Sequence, residues 1–378
     1  MSLRTVAVVL ASMLLMVASP AGVGRAADPA PAKLGIGLGL TGPLAFLSQE
    51  YLKGMRAAVD VVNQEGGVGG GRKIELVVHD HKGVPSEAVA VAKRLIEQDR
   101  VDLVDIDLPS TVAIAAQAVT KQAKIPQITG FGFPMSVVEQ GNPYHFRVCT
   151  NATLIAAVLA ESIRATPNNR TIAMLAPNDD YGRGAIKGLA DALAAPGSPK
   201  VVFSDYYERE QTDFTAVLLK MKSLNPDSLY IDVRWSANVT VLKQMAELGL
   251  KKQLFGSVNF YNTKLVERAG PLLEGAYMSV AWAPVLQDAA SKKFVEAYQR
   301  LYNEMPNDSA SLGWTAGMVV ATALRTAGPG ADGDAIRAAL SKLEWRAPQG
   351  LIKFDERGDA RVPAHVLQFK DGAYHLVK

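Results

Sequence analysis

The sequence predicts an α/β protein built from two similar halves in tandem, each a parallel sheet flanked by helices. Strand-like and helix-like segments alternate along most of the chain, the pattern of a parallel α/β fold. The alternation breaks at Pro143 to Val148 and then restarts in the same order. At 378 residues the chain also exceeds what a single core usually serves, which points to two domains.

Taken in order, Leu34 to Leu40 is an apolar run of strand length, and Gln49 to Glu65 has helical periodicity ended by Gly66-Gly67. Lys73 to His79 alternates as a second strand. Ser86 to Gln98 is a helix with Ser86 as candidate cap, Val101 to Ile106 a strand, Thr111 to Lys121 a helix, and Pro126 to Thr129 a short buried strand. The second series opens with a helix at Leu154 to Ala165, followed by strand Thr171 to Ala176, helix Arg183 to Ala194 and strand Lys200 to Tyr206. Helix Phe214 to Leu224, strand Ser228 to Val233, helix Asn238 to Leu248 and strand Gln253 to Gly256 complete it. Ala276 to Trp282 is extended, and helices follow at Ser291 to Asn303, Ser309 to Thr326 and Asp334 to Leu343. The tail differs in kind: Gly350 to Phe354, Val366 to Phe369 and Tyr374 to Val377 are separated by turn residues Asp355 to Gly358 and Asp371-Gly372, as antiparallel strands are.

The first residues form an export signal. Met1 to Arg4 is a short basic start, Thr5 to Ala18 an apolar run short for a bilayer, and Gly24-Arg25-Ala26 a small-x-small site. Cleavage after Ala26 (signal peptide 1–26) leaves Ala27-Asp28-Pro29, with no Cys to carry a lipid, so a soluble periplasmic product is expected. No later apolar run is long enough to span a membrane. Lys and Arg number 40 against 37 Asp and Glu, a balance that argues against a nucleic-acid or polybasic membrane surface. Cys149 is the only cysteine and excludes an intramolecular disulfide.

Gly37-x-Gly39-x-x-Gly42 follows a strand and satisfies the dinucleotide pattern. Pro43 and a late helix start leave no helix N-terminus against the glycines, and Asp80 lies well beyond the usual ~20 residues, so a closely packed strand-end loop is the better reading. No cofactor is expected. The five histidines form no metal-binding spacing, and no nucleophile motif is present, so neither a metal site nor a catalytic residue is assigned.

Leu40-Thr41-Gly42-Pro43, Leu52-Lys53-Gly54, Val62 to Gly67, His79-Asp80, Leu108 to Thr111, Asp180 to Gly184, Thr212-Asp213-Phe214 and Glu274-Gly275 occur in an order and spacing that mark a resemblance. The chain resembles the type I periplasmic solute-binding proteins of the leucine/isoleucine/valine-binding family, receptors that feed ABC importers. The resemblance implies two Rossmann-like lobes joined by a three-segment hinge, with crossings near Arg147-Val148, Tyr277-Met278 and Ile352-Lys353. The lobes would be residues 27–147 plus 278–352 and 148–277 plus 353–378. It also implies a small-molecule ligand in the cleft, permease subunits as partners, and a monomer.

By the same resemblance Ser110 and Thr111 take a ligand carboxylate, at a helix start that suits an anion independently; a plain helix cap is the other reading of Ser110. Where the family places a ring and an acid to hold an α-ammonium, this chain matches Arg234 and Val258. An ammonium there would face a guanidinium, which is costly in a closed cleft. Phe131, Phe133, Tyr181 and Trp235 offer flat apolar walls, and Leu47 completes the expected contact set. Phe131 and Phe133 could instead be packed between lobes, and Arg234 could pair with Asp232 or Asp179. The combination points to an aromatic carboxylate of benzoate or hydroxycinnamate type. A branched-chain amino acid, amide, urea or dicarboxylate on the same machine, a secreted enzyme and a sensor domain stay open as alternatives.

Overall fold

The computed structural model describes residues 29–208, 210–234 and 237–377. The signal segment lies outside them. The first lobe runs β1 (Ala32–Leu38), α1 (Ala45–Gln64), β2 (Ile74–Asp80), α2 (Pro85–Glu97), β3 (Leu103–Ile106), α3 (Ser110–Ala123), β4 (Gln127–Thr129) and β5 (His145–Arg147). Its strands form one parallel sheet in the order β2-β1-β3-β4-β5. The chain then builds the second lobe with α4 (Ala152–Ala165), β6 (Thr171–Pro177), α5 (Asp180–Ala192), β7 (Lys200–Tyr207), α6 (Thr215–Leu224) and β8 (Ser228–Ile231). It continues through α7 (Asn238–Glu247), β9 (Gln253–Gly256), α8 (Thr263–Leu273) and β10 (Tyr277–Val280). Next come α9 (Ala289–Tyr302), α10 (Asp308–Ala327), α11 (Gly333–Ser341) and the hairpin of β11 (Glu344–Ala347) and β12 (Gly350–Lys353), before β13 (His365–Lys370) and β14 (Ala373–Leu376). The second sheet is ordered β14-β13-β10-β9-β8-β6-β7, with β13 and β14 antiparallel to their neighbours.

The late helices return to the first lobe because α1 needs a second wall. Leu47, Met55, Val62, Trp314, Val319 and Leu324 share one buried cluster with β1. Glycine allows the close approach of α1 to α10: a Cβ on Gly54 would lie 1.8 Å from the carbonyl oxygen of Ala310, and one on Gly313 would lie 1.9 Å from that of Tyr51. This explains why Leu52-Lys53-Gly54 ends in glycine in mid-helix, where it otherwise weakens a helix.

Several expectations shift. β10 is hydrogen-bonded to β9 and β13, so Tyr277-Met278 lies inside the second sheet and the chain crosses after Val280. The third crossing is also later than Ile352-Lys353, because β12 pairs with β11 and Val362 still packs in the first lobe's core. Ser86 is not a cap: Val84 holds that position, with Pro85 opening the helix. Helix α8 was unexpected because Ala269-Gly270-Pro271 reads as a break, and Ala269 is indeed non-helical (φ −150°).

The crossings meet at a buried ion pair. Arg147, at the first crossing, donates from Nε and Nη2 to Asp359 at 3.0 and 2.7 Å, and both side chains are fully buried. Its Nη1 donates to the carbonyl oxygens of Gly132, Phe133 and Pro134 at 2.8–3.1 Å. Asn151 Nδ2 adds a bond to Asp359 at 3.1 Å. At the second crossing the Trp282 amide donates to the Asp308 carboxylate at 2.6 Å.

Arg147→Met strands Asp359 and three carbonyls, and is expected to cost ~3–5 kcal/mol in denaturant unfolding, the range for breaking one side of a buried pair. A loss under ~1 kcal/mol would show that the pair is replaceable by apolar packing. His145 on β5 gives a pH test. Burial, with the nearby Arg147 charge second, pushes its imidazole down to about 3, and Nε2 lies 2.9 Å from the Thr129 hydroxyl. Between the unfolded histidine range and that value the unfolded chain binds the extra proton, so this contribution is lost as pH falls from ~6.5 toward 3. His145→Gln should flatten the acid side of the stability–pH curve by ~1.4 kcal/mol per pH unit; an unchanged slope would mean that His145 already titrates normally.

Candidate ligand-binding cleft

The strands of both sheets end at the space between the lobes, where open parallel sheets present their loops to ligands. From the first lobe come Leu44 and Leu47 at the start of α1, Leu108, Pro109 and Ser110 between β3 and α3, and Phe131 after β4. From the second come Tyr181 at the start of α5, Arg234 after β8, and Val258 and Asn259 after β9. Together they line a pocket of about 360 Å³ of empty space. The expected Leu47, Ser110, Phe131, Tyr181, Arg234 and Val258 are thus brought together. Phe133 lines an adjoining space instead, Thr111 follows Ser110 in α3 without lining the pocket, and Trp235 lies outside the described residues.

Helix α3 presents its N-terminus to the pocket uncapped. Pro109 occupies the cap position and has no side-chain acceptor, and Ser110 is the first helical residue rather than the cap that one reading expected. Its side chain is 2% exposed, and neither its hydroxyl nor the amides of Ser110 and Thr111 bond to protein. Free amides and the positive end of the helix dipole make this an acceptor's site.

The loops are held from below by Asp107. Its carboxylate accepts from the amides of Leu108, Gly130 and Phe131 at 2.8, 2.6 and 2.5 Å, and burial lifts its pKa to about 7. Asp80 similarly accepts from the Leu40 amide and the Thr41 hydroxyl, so the glycine loop's acid is spent on the loop itself. A Cβ on Gly39 would meet the Leu108 carbonyl at 3.1 Å, the close packing expected of that loop.

Across the cleft, the Arg234 amide donates to the Tyr207 hydroxyl at 2.7 Å, and the guanidinium Nη2 pairs with Asp179. Asp179 also caps α5, accepting from the Gly182 amide at 3.0 Å. Of the two acids considered as partners, Asp232 is not the one. It accepts from Tyr230, Ser257 and Asn259 at 2.6–3.0 Å, with the Tyr181 hydroxyl close by. Arg234 is therefore partly engaged by protein, through Asp179, one of the two acids that the sequence offered as its partner. Nε stays buried without a partner, and burial draws the guanidinium down to about 10. An unmet buried donor costs about 1–3 kcal/mol unless something accepts from it. Among the described residues, none that lines this pocket is acidic. Leu44, Leu108, Pro109 and Asn259 were missed as wall residues, although Leu108 and Pro109 lie within a matched motif and Leu44 and Asn259 directly follow matched positions.

Two α/β lobes linked by three crossings, with a pocket at the facing strand ends, define a bilobal solute-binding receptor. The chain belongs to the periplasmic binding protein family, which it matches over residues 31–373. It is similar to the Leu/Ile/Val-binding protein homolog 1 of Brucella suis, 25% identical over 349 residues that cover 91% of this chain and 93% of that one. Among solved structures, the branched-chain amino acid transporter substrate binding protein LivJ of Streptococcus pneumoniae, in complex with isoleucine, superposes with a TM-score of 0.82 at 23% identity (92% and 99% of the chains). An ABC-transporter solute binding protein from R. palustris, in complex with benzoate, gives 0.83 at 21% (92% and 95%). At these identities the structural likeness is one of fold. Family and fold make this chain a solute-binding receptor of the ABC-importer class. Among the described residues no helix is long and apolar enough to cross a membrane.

Ser110→Ala separates a cap from a free donor. Because its hydroxyl bonds to no protein group, the ligand-free variant should unfold within ~0.5 kcal/mol of the parent. A loss of ~1 kcal/mol or more in denaturant titration would mark the hydroxyl as a helix cap after all.

Proposed function

We propose that the protein is a periplasmic receptor, mature from about Ala27, that delivers an aromatic carboxylate to an ABC importer. The observation that carries this is the polarity of the cleft pocket. It offers the free α3 N-terminus and Ser110 on one lobe, the unmet Nε of Arg234 on the other, mainly apolar side chains between them, and, among the described residues, no acidic lining residue. A carboxylate satisfies the helix end, and a flat ring suits Phe131, Tyr181 and the leucines. The α-ammonium of an ordinary amino acid would lie in a pocket whose one charged lining group among the described residues is a cation. Ligand contacts to both lobes would favour a closed form that a permease recognises.

The test is a thermal-shift screen with calorimetric follow-up, setting benzoates and hydroxycinnamates against leucine and valine. Aromatic acids should stabilise the protein, by ~2.7 kcal/mol at a hundredfold excess over Kd. Arg234→Ala should weaken their binding by ~2–5 kcal/mol, and Ser110→Ala by ~1–3 kcal/mol. Tight leucine or valine binding, with aromatic acids silent and Arg234→Ala without effect, would replace this ligand with an amino acid.

A further inference from the structure

Adjoining the cleft pocket is a second space of about 530 Å³, lined mostly by the second lobe together with Phe133 and residues at the crossings. Its walls are mainly apolar: Phe133 after β4, Ile155, Ala156 and Leu159 on α4, and Ala185 and Leu189 on α5. Tyr181 and Val258 line both spaces, so the two chambers share a wall. The rings of Phe131, Phe133 and Tyr181 run from one to the other, with centroids 5.1 and 6.2 Å apart. An aromatic guest in the cleft would find rings continuing inward.

One polar feature stands out in this chamber. Thr150 is 1% exposed, lines the space, and its Oγ1 is buried without a hydrogen-bond partner. Of the other hydroxyls lining the space, Tyr230 and Ser257 both bond to Asp232, and Ser279 adds a further polar group on β10. An unmet hydroxyl in an apolar space is unfavourable until a small polar group reaches it. The arrangement, read from the helix end, is an anion site, a line of three rings, a mainly apolar chamber and the unmet Thr150 hydroxyl.

We infer that the inner chamber is a subsite for the far end of the ligand, which makes the preferred class a 4-hydroxyaryl acid whose ring is separated from its carboxylate by a short linker. The inference rests on the carboxylate reading of the cleft. With the carboxylate at Ser110 and the α3 amides, a ring attached directly to it stays in the outer pocket and leaves the chamber and Thr150 unmet. A two-carbon linker carries the ring past Tyr181 and Val258, and a para hydroxyl then exchanges a hydrogen bond with Thr150 Oγ1. Phe133, which is absent from the outer pocket's wall, acquires a role here as a face for the ring.

The experiment is calorimetry on the mature protein with benzoate, 4-hydroxybenzoate, cinnamate, 4-hydroxycinnamate and leucine. The expected order places 4-hydroxycinnamate at least ~10-fold tighter than 4-hydroxybenzoate, and ~10-fold tighter than cinnamate, since a site built around a hydroxyl discriminates against ligands that lack one. Thr150→Val, nearly isosteric, should bring cinnamate and 4-hydroxycinnamate to within ~2-fold of each other. Ala156→Leu, which fills the chamber, should erase the advantage of the longer acids over the benzoates. The ligand series on the unmodified protein needs no variant to fold. Benzoates that bind as tightly as the longer acids would overturn the inner subsite and leave the carboxylate receptor standing. Leucine binding with every aromatic acid silent would overturn the carboxylate reading, and the subsite with it.

Discussion

The buried contact between Arg147 and Asp359 is the constraint around which the rest is arranged. It joins the first crossing to the third, and its remaining donors hold the three carbonyls of Gly132, Phe133 and Pro134. A buried ion pair is weak evidence for net stability, because desolvation offsets most of the attraction. Its value here is positional. A planar guanidinium satisfies a carboxylate and a run of backbone oxygens at once, which a lysine's point charge does not do. The loop bearing Phe131 and Phe133 is therefore anchored to the crossing strands rather than to either lobe's surface.

The cleft shows the same economy in its acids. Asp107, Asp80 and Asp232 all lie near the ligand space, yet each is turned toward backbone amides, hydroxyls or a side-chain amide. They shape the loops and add no charge to the outer pocket's lining. What reaches that lining is a helix end, the Ser110 hydroxyl, part of a guanidinium, Asn259, the Tyr181 ring and apolar side chains. Recognition then depends on which unmet donors and apolar walls a ligand completes.

Much of this was legible in the residues. The paired strand-and-helix series, the α3 start at Ser110 and the exchange of ring and acid for Arg234 and Val258 are local patterns, and the structure brings those positions to one pocket. Other features are not local. That Arg234 pairs with Asp179 depends on residues 55 apart meeting across two strand ends. Helix α8 was hidden because Ala269-Gly270-Pro271 breaks the periodic signal while Asn262 caps the start from outside it. The second crossing was displaced because β10 is extended in either lobe's reading, and only its pairing decides where it belongs. Thr150 carries no sequence signal at all: an unpartnered hydroxyl exists only once its surroundings have failed to supply a partner.

The pairing of Arg234 with Asp179 also bears on how a ligand arrives. With its counter-charge beside it, the guanidinium projects little field into solvent, and the α3 dipole fades within about a turn of the helix. Exposed charges elsewhere are screened beyond ~8–10 Å at physiological salt. Capture at this cleft therefore depends on diffusion and fit rather than on long-range attraction, and its association rate should respond only weakly to ionic strength. A receptor of this kind discriminates after contact, by how long a ligand stays.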